Sequence, residues 1–333
     1  MNKGLKEIAG KLGLNISTIS RAINVETQHL VKEETRKRIF ELIKKEGFKP
    51  NIKARNLKKQ SLTNFSLIIP IGIKSIFYNE YYNSIINGIN KVLMGSEYLL
   101  TLLPIEENYE PENIFQLLLN TETAGLILSP YCKYIKFPFD LMNKYTFPIV
   151  SIDNKVSGKN IYNIILNHKN AGYHAAEILW EKGYRDIVLI SDVAHSEHST
   201  LRKEGFLEFF KDKNANINNI EVPFTFVSGE VTIKKIKERN KFPICIFSLN
   251  DEVAVGIINQ LKKNNLECTK DLSILGFDGL SIGAYLSPRL SSMGFPFENI
   301  GRLTAQILID VLTNKKVQKT TILEARITEG ESC

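Results

Sequence analysis

Apolar residues in the first fifty positions recur at the spacing of an α-helix in three separate segments. The first stripe consists of Leu5, Ile8, Ala9 and Leu12. It predicts a short helix that Gly13 ends, because glycine tolerates the left-handed backbone of a tight turn. Asn15 is a favourable N-cap for a second helix over 16–23, whose apolar positions are Ile19, Ala22 and Ile23. Two short helices joined by a glycine-containing turn are typical of a helix-turn-helix unit.

A third apolar stripe follows a short loop and marks a longer helix. Its positions are Val31, Thr35, Ile39, Leu42 and Ile43. Glutamates stand in the first turn and lysines in the last, which matches the dipole of a helix in this direction. Gly47 and Pro50 end the helix. The sequence thus predicts an all-α module of three helices over residues 1–49.

The next segment, 51–57 with the sequence NIKARNL, is short and basic and contains one isolated large apolar residue, Leu57. A segment of this composition buries too little apolar surface to form a core. Two interpretations remain open from the residues alone. The segment is either a plain polar linker, which the composition favours, or a hinge helix that orders on DNA and inserts Leu57 into the minor groove.

From position 64 onward, apolar β-branched segments alternate with helical stripes. Strands are predicted at 65–71, 98–103, 125–129, 148–152, 186–191, 221–226, 243–248 and 272–277. Helices are predicted at 81–93, 111–119, 168–182, 202–210, 229–237 and 251–263. The alternation is typical of parallel, doubly wound sheets, and its repetition predicts an α/β core with two lobes and a cleft between them.

Polar side chains stand at the carboxyl ends of several predicted strands, where ligands of doubly wound sheets bind. Asp153 follows one strand, Asn250 and Asp251 follow another, and Asp278 follows a third. Arg202 is predicted at the start of a helix in the same lobe. Each residue alone is most simply an ordinary loop or cap residue. Together they resemble the polar fringe of a sugar pocket, in which carboxylates and amides bind hydroxyls.

Charge is distributed unevenly along the 333 residues. The first sixty carry 15 Lys and Arg against 6 Asp and Glu, whereas the remainder carries 28 against 30. The net charge of +7 is therefore concentrated in the predicted helical module, as is typical of a nucleic-acid-binding unit. A solvated basic tail is the alternative interpretation, but a tail would lack the helical stripes.

Other patterns exclude several classes of protein. The four cysteines form no Cys-x-x-Cys pair, and a disulfide framework is not expected in a chain of this length. No apolar signal-peptide core and no apolar run of about 18 residues is found, so a cytoplasmic protein without a membrane partner is expected. Glycine-rich phosphate loops and nucleophile elbows are absent, which argues against an enzyme. His195 and His198 have metal-ligand spacing, but HSEH is more simply a solvated loop, and neither a metal nor another cofactor is expected.

Along its whole length the chain resembles the lac-repressor family of bacterial transcriptional regulators. The segments KEIAGKLGLNISTISRAIN, VKEETRKRI and GFKPNIKARNLKK follow the family pattern of the DNA-binding module and hinge. The resemblance implies that Ile16 and Ser17 read base edges, that Arg21 contacts bases or phosphates, and that Leu57 is the minor-groove wedge. It thereby favours the hinge over the linker. The DNA-binding positions that it implies are Asn15, Ile16, Ser17, Thr18, Ser20, Arg21, Asn24, Asn51, Ala54, Arg55 and Leu57.

The core carries further landmarks of the family, namely PIVSID, GYRDIVLIS, RKEGF, NDEVAVG and LSILGFD. Carried over residue by residue, they imply a site for a small sugar between two lobes of the periplasmic-binding-protein type. The implied effector-binding residues are Asp153, Arg202, Phe224, Asn250, Asp278, Phe295 and Phe297. The final Ser-Cys pair is also found in relatives that respond to galactosides.

Four features depart from the family pattern and concern the identity of the effector more than the class of protein. Gly4 replaces the usual Thr or Ser cap, and the loop Val25–Leu30 is longer than in the best-known members. Asn167 replaces a frequent acidic residue, and Phe295 occupies a pocket position that is polar in the lac repressor.

The resemblance implies a repressor that binds a pseudo-palindromic site on double-stranded DNA as a homodimer, under the control of a sugar in the cleft. The implied domains are a DNA-binding domain at 1–49, a hinge at 50–62, and an effector-binding and dimerisation domain at 63–333. The last would consist of an N-lobe at about 63–162 and 293–320 and a C-lobe at about 163–291 and 321–333. A regulator that responds to a purine or another metabolite, and a sugar-binding protein without a DNA function, are the alternatives.

Overall fold

The computed structural model describes residues 5–23, 28–46, 63–70, 79–106, 109–130, 137, 148–239 and 242–333. The chain divides into two units, Met1–Leu62 and Thr63–Cys333. Among the described helices, none is long and apolar enough to span a bilayer. The predicted hinge residues Asn51, Ala54, Arg55 and Leu57, together with Asn24, lie outside the described residues.

The first unit contains the three helices that the apolar stripes predict. They are α1 (Leu5–Leu12), α2 (Ile16–Ile23) and α3 (Glu33–Glu46), with a 3-10 turn at Gln28–Leu30 before α3. Their common core consists of Ile8, Ala9, Ile19, Ala22, Val31 and Ile39. Val31 lies before α3 rather than within it, and it packs against the core from the loop. A small module of this kind is stable because each helix buries one apolar face.

The turn between α1 and α2 has the backbone that its sequence favours. Gly13 has a φ of +64°, which is the left-handed conformation that glycine adopts without a steric penalty. The side-chain Oδ1 of Asn15 accepts a hydrogen bond from the backbone N–H of Ser17 at 3.1 Å. This bond satisfies one of the free N–H groups at the start of α2, and it fixes where the helix begins.

The second unit is built on two six-stranded sheets. The first sheet contains β1 (Asn64–Pro70), β2 (Leu99–Ile105), β3 (Thr123–Leu128), β4 (Ile149–Ile152), β5 (Ile161–Leu166) and β11 (Thr320–Leu323). Its strand order is β11-β5-β4-β3-β1-β2, and all of its pairs are parallel.

The second sheet contains β6 (Asp186–Asp192), β7 (Asn216–Val222), β8 (Ile244–Ser248), β9 (Leu272–Phe277), β10 (Ser291–Gly294) and β12 (Arg326–Thr328). Its order is β12-β10-β9-β8-β6-β7. The edge strand β12 runs antiparallel to β10, so this sheet departs from the all-parallel prediction at one edge. The prediction of two doubly wound sheets is otherwise confirmed.

Within the described ranges, seven α-helices flank the two sheets. They are α4 (Glu80–Leu93), α5 (Pro111–Asn120), α6 (His168–Glu181), α7 (Glu197–Phe210), α8 (Ser228–Arg239), α9 (Asp251–Leu261) and α10 (Phe297–Leu312). The chain passes between the sheets three times, after β5, after β10 and after β11. The first passage thus follows Leu166, a few residues beyond the predicted boundary. One continuous apolar cluster includes residues from both sheets.

Two predicted elements are misplaced. The strand predicted at 221–226 lies instead at Asn216–Val222, as β7. The prediction was wrong because the PFTF segment is apolar, whereas the strand itself is rich in asparagine. It tolerates polar residues because it is an edge strand that pairs only with β6. The helix predicted at 202–210 begins at Glu197. The prediction missed its first turn because the residues of that turn are polar and add nothing to the apolar stripe. Arg202 therefore lies inside α7 and not at its start.

Glycine residues set the distance between α6 and α7. A methyl group added at Gly172 would lie 1.9 Å from the carbonyl oxygen of Arg202, and one added at Gly205 would lie 1.8 Å from that of Lys169. Each helix therefore packs its glycine directly against the backbone of the other. The close packing brings Arg202 of α7 next to α6, where its Nε contacts His168.

The helices α4 and α10, which pack on the first sheet in the first lobe, make the same kind of contact. A methyl group at Gly88 would lie 2.0 Å from the carbonyl oxygen of Glu298, and one at Gly301 would lie 2.0 Å from that of Ile85. Reciprocal glycine contacts thus hold a helix pair in each lobe.

We expect the substitution Gly172→Ala to lower the free energy of unfolding of the second unit by about 1–3 kcal/mol, because backbone cannot move aside as a flexible side chain can. Urea unfolding followed by circular dichroism measures this loss. Gly10→Ala in the first unit is the control, since no atom lies within 4 Å of the added methyl group and the second unit should unfold at the parent midpoint. An unchanged unfolding midpoint for Gly172→Ala would show that the two helices separate without cost.

Candidate functional site

One face of α2 in the first unit is exposed and mostly polar. Ile19 and Ala22 are buried in the core, whereas Asn15, Ser17 and Arg21 are exposed. Ile16 is 43% exposed, which is high for an apolar residue. Thr18 is half-buried, and the side chain of Ser20 lies outside the described part of the chain. The exposed face therefore presents hydrogen-bonding groups, one cation and one apolar side chain.

A cluster of polar side chains forms the second candidate site, in the larger unit. Asp153 directly follows β4 of the first sheet, and Asp278 directly follows β9 of the second. Asn250 lies two residues beyond β8, and Arg202 reaches toward the cluster from α7. The carboxyl ends of parallel strands meet at one edge of each sheet, and hydrogen bonds through Arg202 and His168 join the edges of the two sheets.

Arg202 is the centre of this cluster. It is buried, and its Nη1 donates hydrogen bonds to the carbonyl oxygen of Leu249 at 2.9 Å and to Oδ1 of Asp278 at 3.2 Å. Its Nε donates to Nδ1 of His168 at 3.2 Å. The guanidinium carbon lies 3.7 Å from the centre of the Phe277 ring, which adds a cation–π contact. A buried cation of this kind is stable only when its surroundings compensate its charge.

Asp278 and Asn250 supply that compensation from two loops. Asp278 has a φ of +127°, so its backbone is in a region that L-residues rarely adopt. Its Oδ2 accepts a hydrogen bond from Nδ2 of Asn250 at 2.8 Å. The Oδ1 of Asn250 caps α9 by accepting from the N–H of Val253 at 3.3 Å, so the amide orientation is fixed. Burial raises the pKa of Asp278, and the charge of Arg202 opposes that rise.

Asp251 holds the loop that carries Asp278. It is fully buried, with Oδ1 accepting from the Ser292 hydroxyl at 2.7 Å and Oδ2 accepting from the N–H of Leu280 at 2.8 Å. Burial raises the pKa of Asp251 to about 7, and the nearby charge of Asp278 contributes to the rise. Asp251 thus positions the loop and does not face the cluster as a binding group.

Asp153 connects the cluster to the first sheet. It has a φ of +57°, and its Oδ1 accepts a hydrogen bond from the N–H of Leu166 at 3.2 Å. Its Oδ2 lies 2.9 Å from Nε2 of His168 and 3.1 Å from Nε2 of His198. The two imidazole rings stack with their centres 4.5 Å apart. One carboxylate oxygen therefore serves two histidines from two different helices.

The pKa values in this part of the cluster are shifted by burial. Burial raises the pKa of Asp153 to about 6, although a positive charge on His198 opposes the rise. Burial also lowers the pKa of His168 to about 2, and the adjacent charge of Arg202 acts in the same direction. His168 is thus a neutral imidazole at physiological pH.

The tautomer of His168 follows from its neighbours. Arg202 Nε can only donate, so Nδ1 of His168 must be an acceptor, and the single ring proton is on Nε2. That proton is donated to Oδ2 of Asp153. Asp153, His168 and His198 have ligand atoms within 4.8 Å of one another, which is a possible metal-binding arrangement. However, while Arg202 is in place, Nε2 of His168 has no free lone pair for a metal ion.

The structure corrects the interpretation of HSEH as a solvated loop. His198 is in the first turn of α7, where it is half-buried against Asp153. His195 precedes the helix and is exposed, with its Nε2 4.0 Å from Glu221. Neither His198 nor His168 was predicted as a site residue. His168 could have been found, because it follows β5 closely, as Asp153 follows β4.

The three predicted aromatic residues differ in position. Phe295 is buried and lies edge-on to His168, with ring centres 5.0 Å apart. Phe297 begins α10 and packs against Tyr81 at 4.7 Å. Phe224 follows β7 and packs against two clusters of buried apolar side chains, the one shared by both sheets and a second one within the second sheet and its helices. Among the described ring contacts, the one between Phe295 and His168 joins a predicted aromatic residue to the polar cluster.

A cavity of about 550 Å³ lies beside the cluster, between α4 of the first lobe and the loop after β9 of the second. Phe295 and Phe297 line it, but Asp153, Arg202, Asn250 and Asp278 do not. The polar groups of those four residues are bonded within the cluster itself. A ligand that contacts them must therefore replace hydrogen bonds that the side chains now make to one another.

Comparison with known families matches two parts of the chain. Residues 4–51 match the model described as bacterial regulatory proteins, lacI family. Residues 176–333 match the model described as a periplasmic binding protein-like domain. The first match covers the three-helix unit, and the second covers the second sheet together with the return strand of the first.

Several curated proteins are similar over nearly their whole length. A probable HTH-type transcriptional repressor, ExuR of Bacillus subtilis, is 25% identical over 96% of this chain and 95% of its own. The HTH-type transcriptional repressor PurR of Aliivibrio fischeri is 25% identical over 93% of this chain and 92% of its own. These relatives are thus DNA-binding regulators of about the same chain length.

Solved structures share the fold at lower sequence identity. The Lac repressor dimer bound to operator and the anti-inducer ONPF has a TM-score of 0.80 at 19% identity, over 100% of this chain and 99% of that one. A LacI-family regulator from Enterococcus faecium with bound ribose has a TM-score of 0.63 at 20% identity, over 81% and 98%. The chain therefore carries a DNA-binding domain of the lacI family at residues 4–51 and a periplasmic binding protein-like domain at 176–333, and its fold is that of the Lac repressor.

Proposed function

We propose that this protein is a transcriptional repressor that binds a pseudo-palindromic operator as a homodimer and is controlled by a small sugar. The observation that carries the proposal is the combination of a basic helix-turn-helix unit with a buried polar cluster between two sheets. The operator and the sugar are bound by different units of one chain, as a ligand-controlled regulator requires.

The exposed face of α2 is suited to reading DNA in the major groove. Serine hydroxyls bind several base edges, arginine binds guanine, and an apolar side chain contacts the thymine methyl group. Ser17, Arg21 and Ile16 supply these three kinds of contact on one exposed face. Asn15, Thr18, Ser20 and Asn24 are proposed as further contacts at the ends and sides of the helix. The lysine and arginine excess of the unit adds attraction to phosphates that does not depend on sequence.

The segment from Asn51 to Leu57 is proposed as a hinge helix. Its two copies in the dimer would insert Leu57 into the minor groove, with Asn51, Ala54 and Arg55 beside the backbone of the DNA. The proposal rests on the family pattern of this segment, since the segment lies outside the described residues.

The polar cluster is proposed as the effector site. A sugar ring offers several hydroxyls, each able to donate and to accept. It can therefore replace the bonds of Asp278 to Arg202 and Asn250, and those of Asp153 to His168 and His198, one by one. Phe224, Phe295 and Phe297 would cover the apolar faces of the ring. The ribose-bound regulator from Enterococcus faecium supports a sugar as the ligand class for this fold.

A purine or related metabolite is the second candidate effector. The relatives PurR of Aliivibrio fischeri and ExuR of Bacillus subtilis are equally identical to this chain, at 25%, so sequence identity does not decide between the two candidates. The two carboxylates of the cluster favour a polyol, which has more hydroxyl donors than a planar base. We further propose that this regulator has no catalytic residues and, because it binds DNA, acts in the cytoplasm.

The reading role of α2 is tested by Ser17→Ala and Ile16→Ala in competition binding against selected operator sequences. We expect the preference for the correct base pair to fall by about 1–3 kcal/mol, since a base contact is lost. Lys37→Ala on α3 is the control, because it removes an exposed charge of the same unit and should leave the preference unchanged. A preference retained in both α2 variants would contradict the assignment.

The effector role of Arg202 is tested by calorimetry with ribose, galactose, disaccharides and purine bases. For the sugar or base that binds the parent protein, Arg202→Ala should weaken binding at least tenfold, about 1.4 kcal/mol. Asp278→Asn retains the shape of the side chain and should also weaken binding. The control is Lys203→Ala, which removes the neighbouring cation of α7 that pairs with Glu221. Equal affinity in all three variants would place the effector elsewhere.

The hinge is tested by Leu57→Ala in operator binding and in DNA-bend measurements by gel mobility. Loss of the wedge should lower both the operator affinity and the bend angle, because the bend depends on the inserted side chain. Affinity and bend that both equal those of the parent protein would contradict the hinge and support a plain linker.

A further inference from the structure

Two cysteines meet in the second lobe, away from the polar cluster. Cys245 is on β8, fully buried, and it pairs in register with Ile187 of β6 and Ser273 of β9. Cys333 is half-buried and packs against the same apolar cluster as Cys245. Ser332, which precedes Cys333, is hydrogen-bonded to Ile274, and Ile274 follows the residue of β9 that pairs with Cys245. The two cysteines are therefore neighbours on β8 and beside β9, in a largely apolar environment.

The position of Cys333 is fixed by the residue before it. Ser332 is fully buried, and its hydroxyl accepts from the N–H of Ser291 at 2.8 Å and donates to the carbonyl of Ile274 at 2.6 Å. The N–H of Ile274 donates to the carbonyl of Ser332 at 2.7 Å. These bonds attach the segment to β9 and β10, so the position of Cys333 beside β9 is part of the fold.

The two thiols differ in chemical character. The hydrogen bond from Cys245 lowers the pKa of Cys333, and the positive charge of Lys182 and a hydrogen bond from Tyr184 act in the same direction. Lys182 Nζ also donates to the carbonyl of Cys333 at 3.3 Å. Burial raises the pKa of the Cys245 thiol well above its ordinary value. Because the thiolate is the reactive form, the lower pKa and the greater exposure of Cys333 assign it as the nucleophile, and the fully buried Cys245 as the second thiol.

We propose that Cys333 and Cys245 form an oxidation site, at which hydrogen peroxide converts the two thiols into an intramolecular disulfide. The Cys333 thiolate attacks one peroxide oxygen, the O–O bond breaks, and hydroxide leaves, which gives a sulfenic acid. The Cys245 sulfur, on loss of its proton, then attacks the Cys333 sulfur, and the S–O bond breaks as a second hydroxide leaves. With the two thiol protons, the hydroxides become two waters, so the two thiols are oxidised and the peroxide is reduced.

The geometry favours this pair over the alternatives for the same sulfur atoms. Cys268 Sγ is directed to the carbonyl of Ser332 at 3.7 Å, and it belongs to a different apolar cluster from Cys245. Among the described residues, the thiols do not form a group close enough to hold a metal ion. Disulfides in intracellular proteins are usually transient and redox-sensing, which suits a half-buried thiol beside a buried one.

The test uses the full-length chain with Cys132→Ser, since Cys132 lies outside the described residues. Peroxide treatment of the reduced protein should lower the intact mass by two hydrogen atoms, and dithiothreitol should restore it. Peptide mapping should join the Cys245 peptide to the Cys333 peptide, and the midpoint of thermal unfolding should rise in the crosslinked form. Oxygen added to Cys333 without a crosslink, a crosslink to Cys268, or no reaction would each overturn the proposal.

Single variants assign the roles of the two thiols. Cys333→Ser should leave Cys245 reduced under peroxide, because its buried sulfur is not reached directly. Cys245→Ala should stop the reaction at the Cys333 sulfenic acid, which dimedone captures as a mass adduct. Cys268→Ser should crosslink as the parent does. Circular dichroism confirms that each variant is folded, and direct oxidation of Cys245 in the Cys333→Ser variant would contradict the assigned order.

Discussion

The buried cation of Arg202 is the constraint on which the larger unit depends. Arginine does not lose its proton in a protein, so its charge must be compensated where it lies. Removing one partner of a buried ion pair costs about 3–5 kcal/mol, because the other charge is left without compensation. Asp278, the carbonyl of Leu249 and the Phe277 ring supply the compensation from the second sheet. His168 completes it by presenting a lone pair, and this requirement fixes the position of its proton.

The proton on Nε2 of His168 connects Arg202 to the first sheet through a hydrogen bond. His168 donates to Asp153, and His198 of α7 shares the same carboxylate oxygen. The hydrogen-bonded chain thus runs from the end of β9 to the end of β4, and it links the two lobes. Under the proposed function, a sugar that replaces some of these bonds changes how strongly the lobes are held together. A ligand shifts a conformational equilibrium only through such a difference in its contacts between states.

Much of the fold could be predicted from the sequence, because apolar stripes and strand runs depend on local composition. The three helices of the first unit and the strand ends at Asp153 and Asp278 were found in this way. The edge strand β7 was misplaced, since its stability comes from pairing with β6 and not from its own residues. The histidines of the cluster were missed for a similar reason. Their roles depend on Arg202 and Asp153, which are distant in sequence and meet only in the folded chain.

Nitrogen-15 NMR of the histidine rings measures whether Arg202 fixes the tautomer and the charge of His168, with His168→Gln used to assign the signal. The hydrogen bond from Arg202 requires a proton on Nε2 of the His168 ring and an unprotonated Nδ1. The buried ring should also stay neutral at about pH 5, well below the ordinary histidine pKa of about 6.5. A proton on Nδ1, or protonation of the ring near pH 6.5, would show that Arg202 does not control this imidazole.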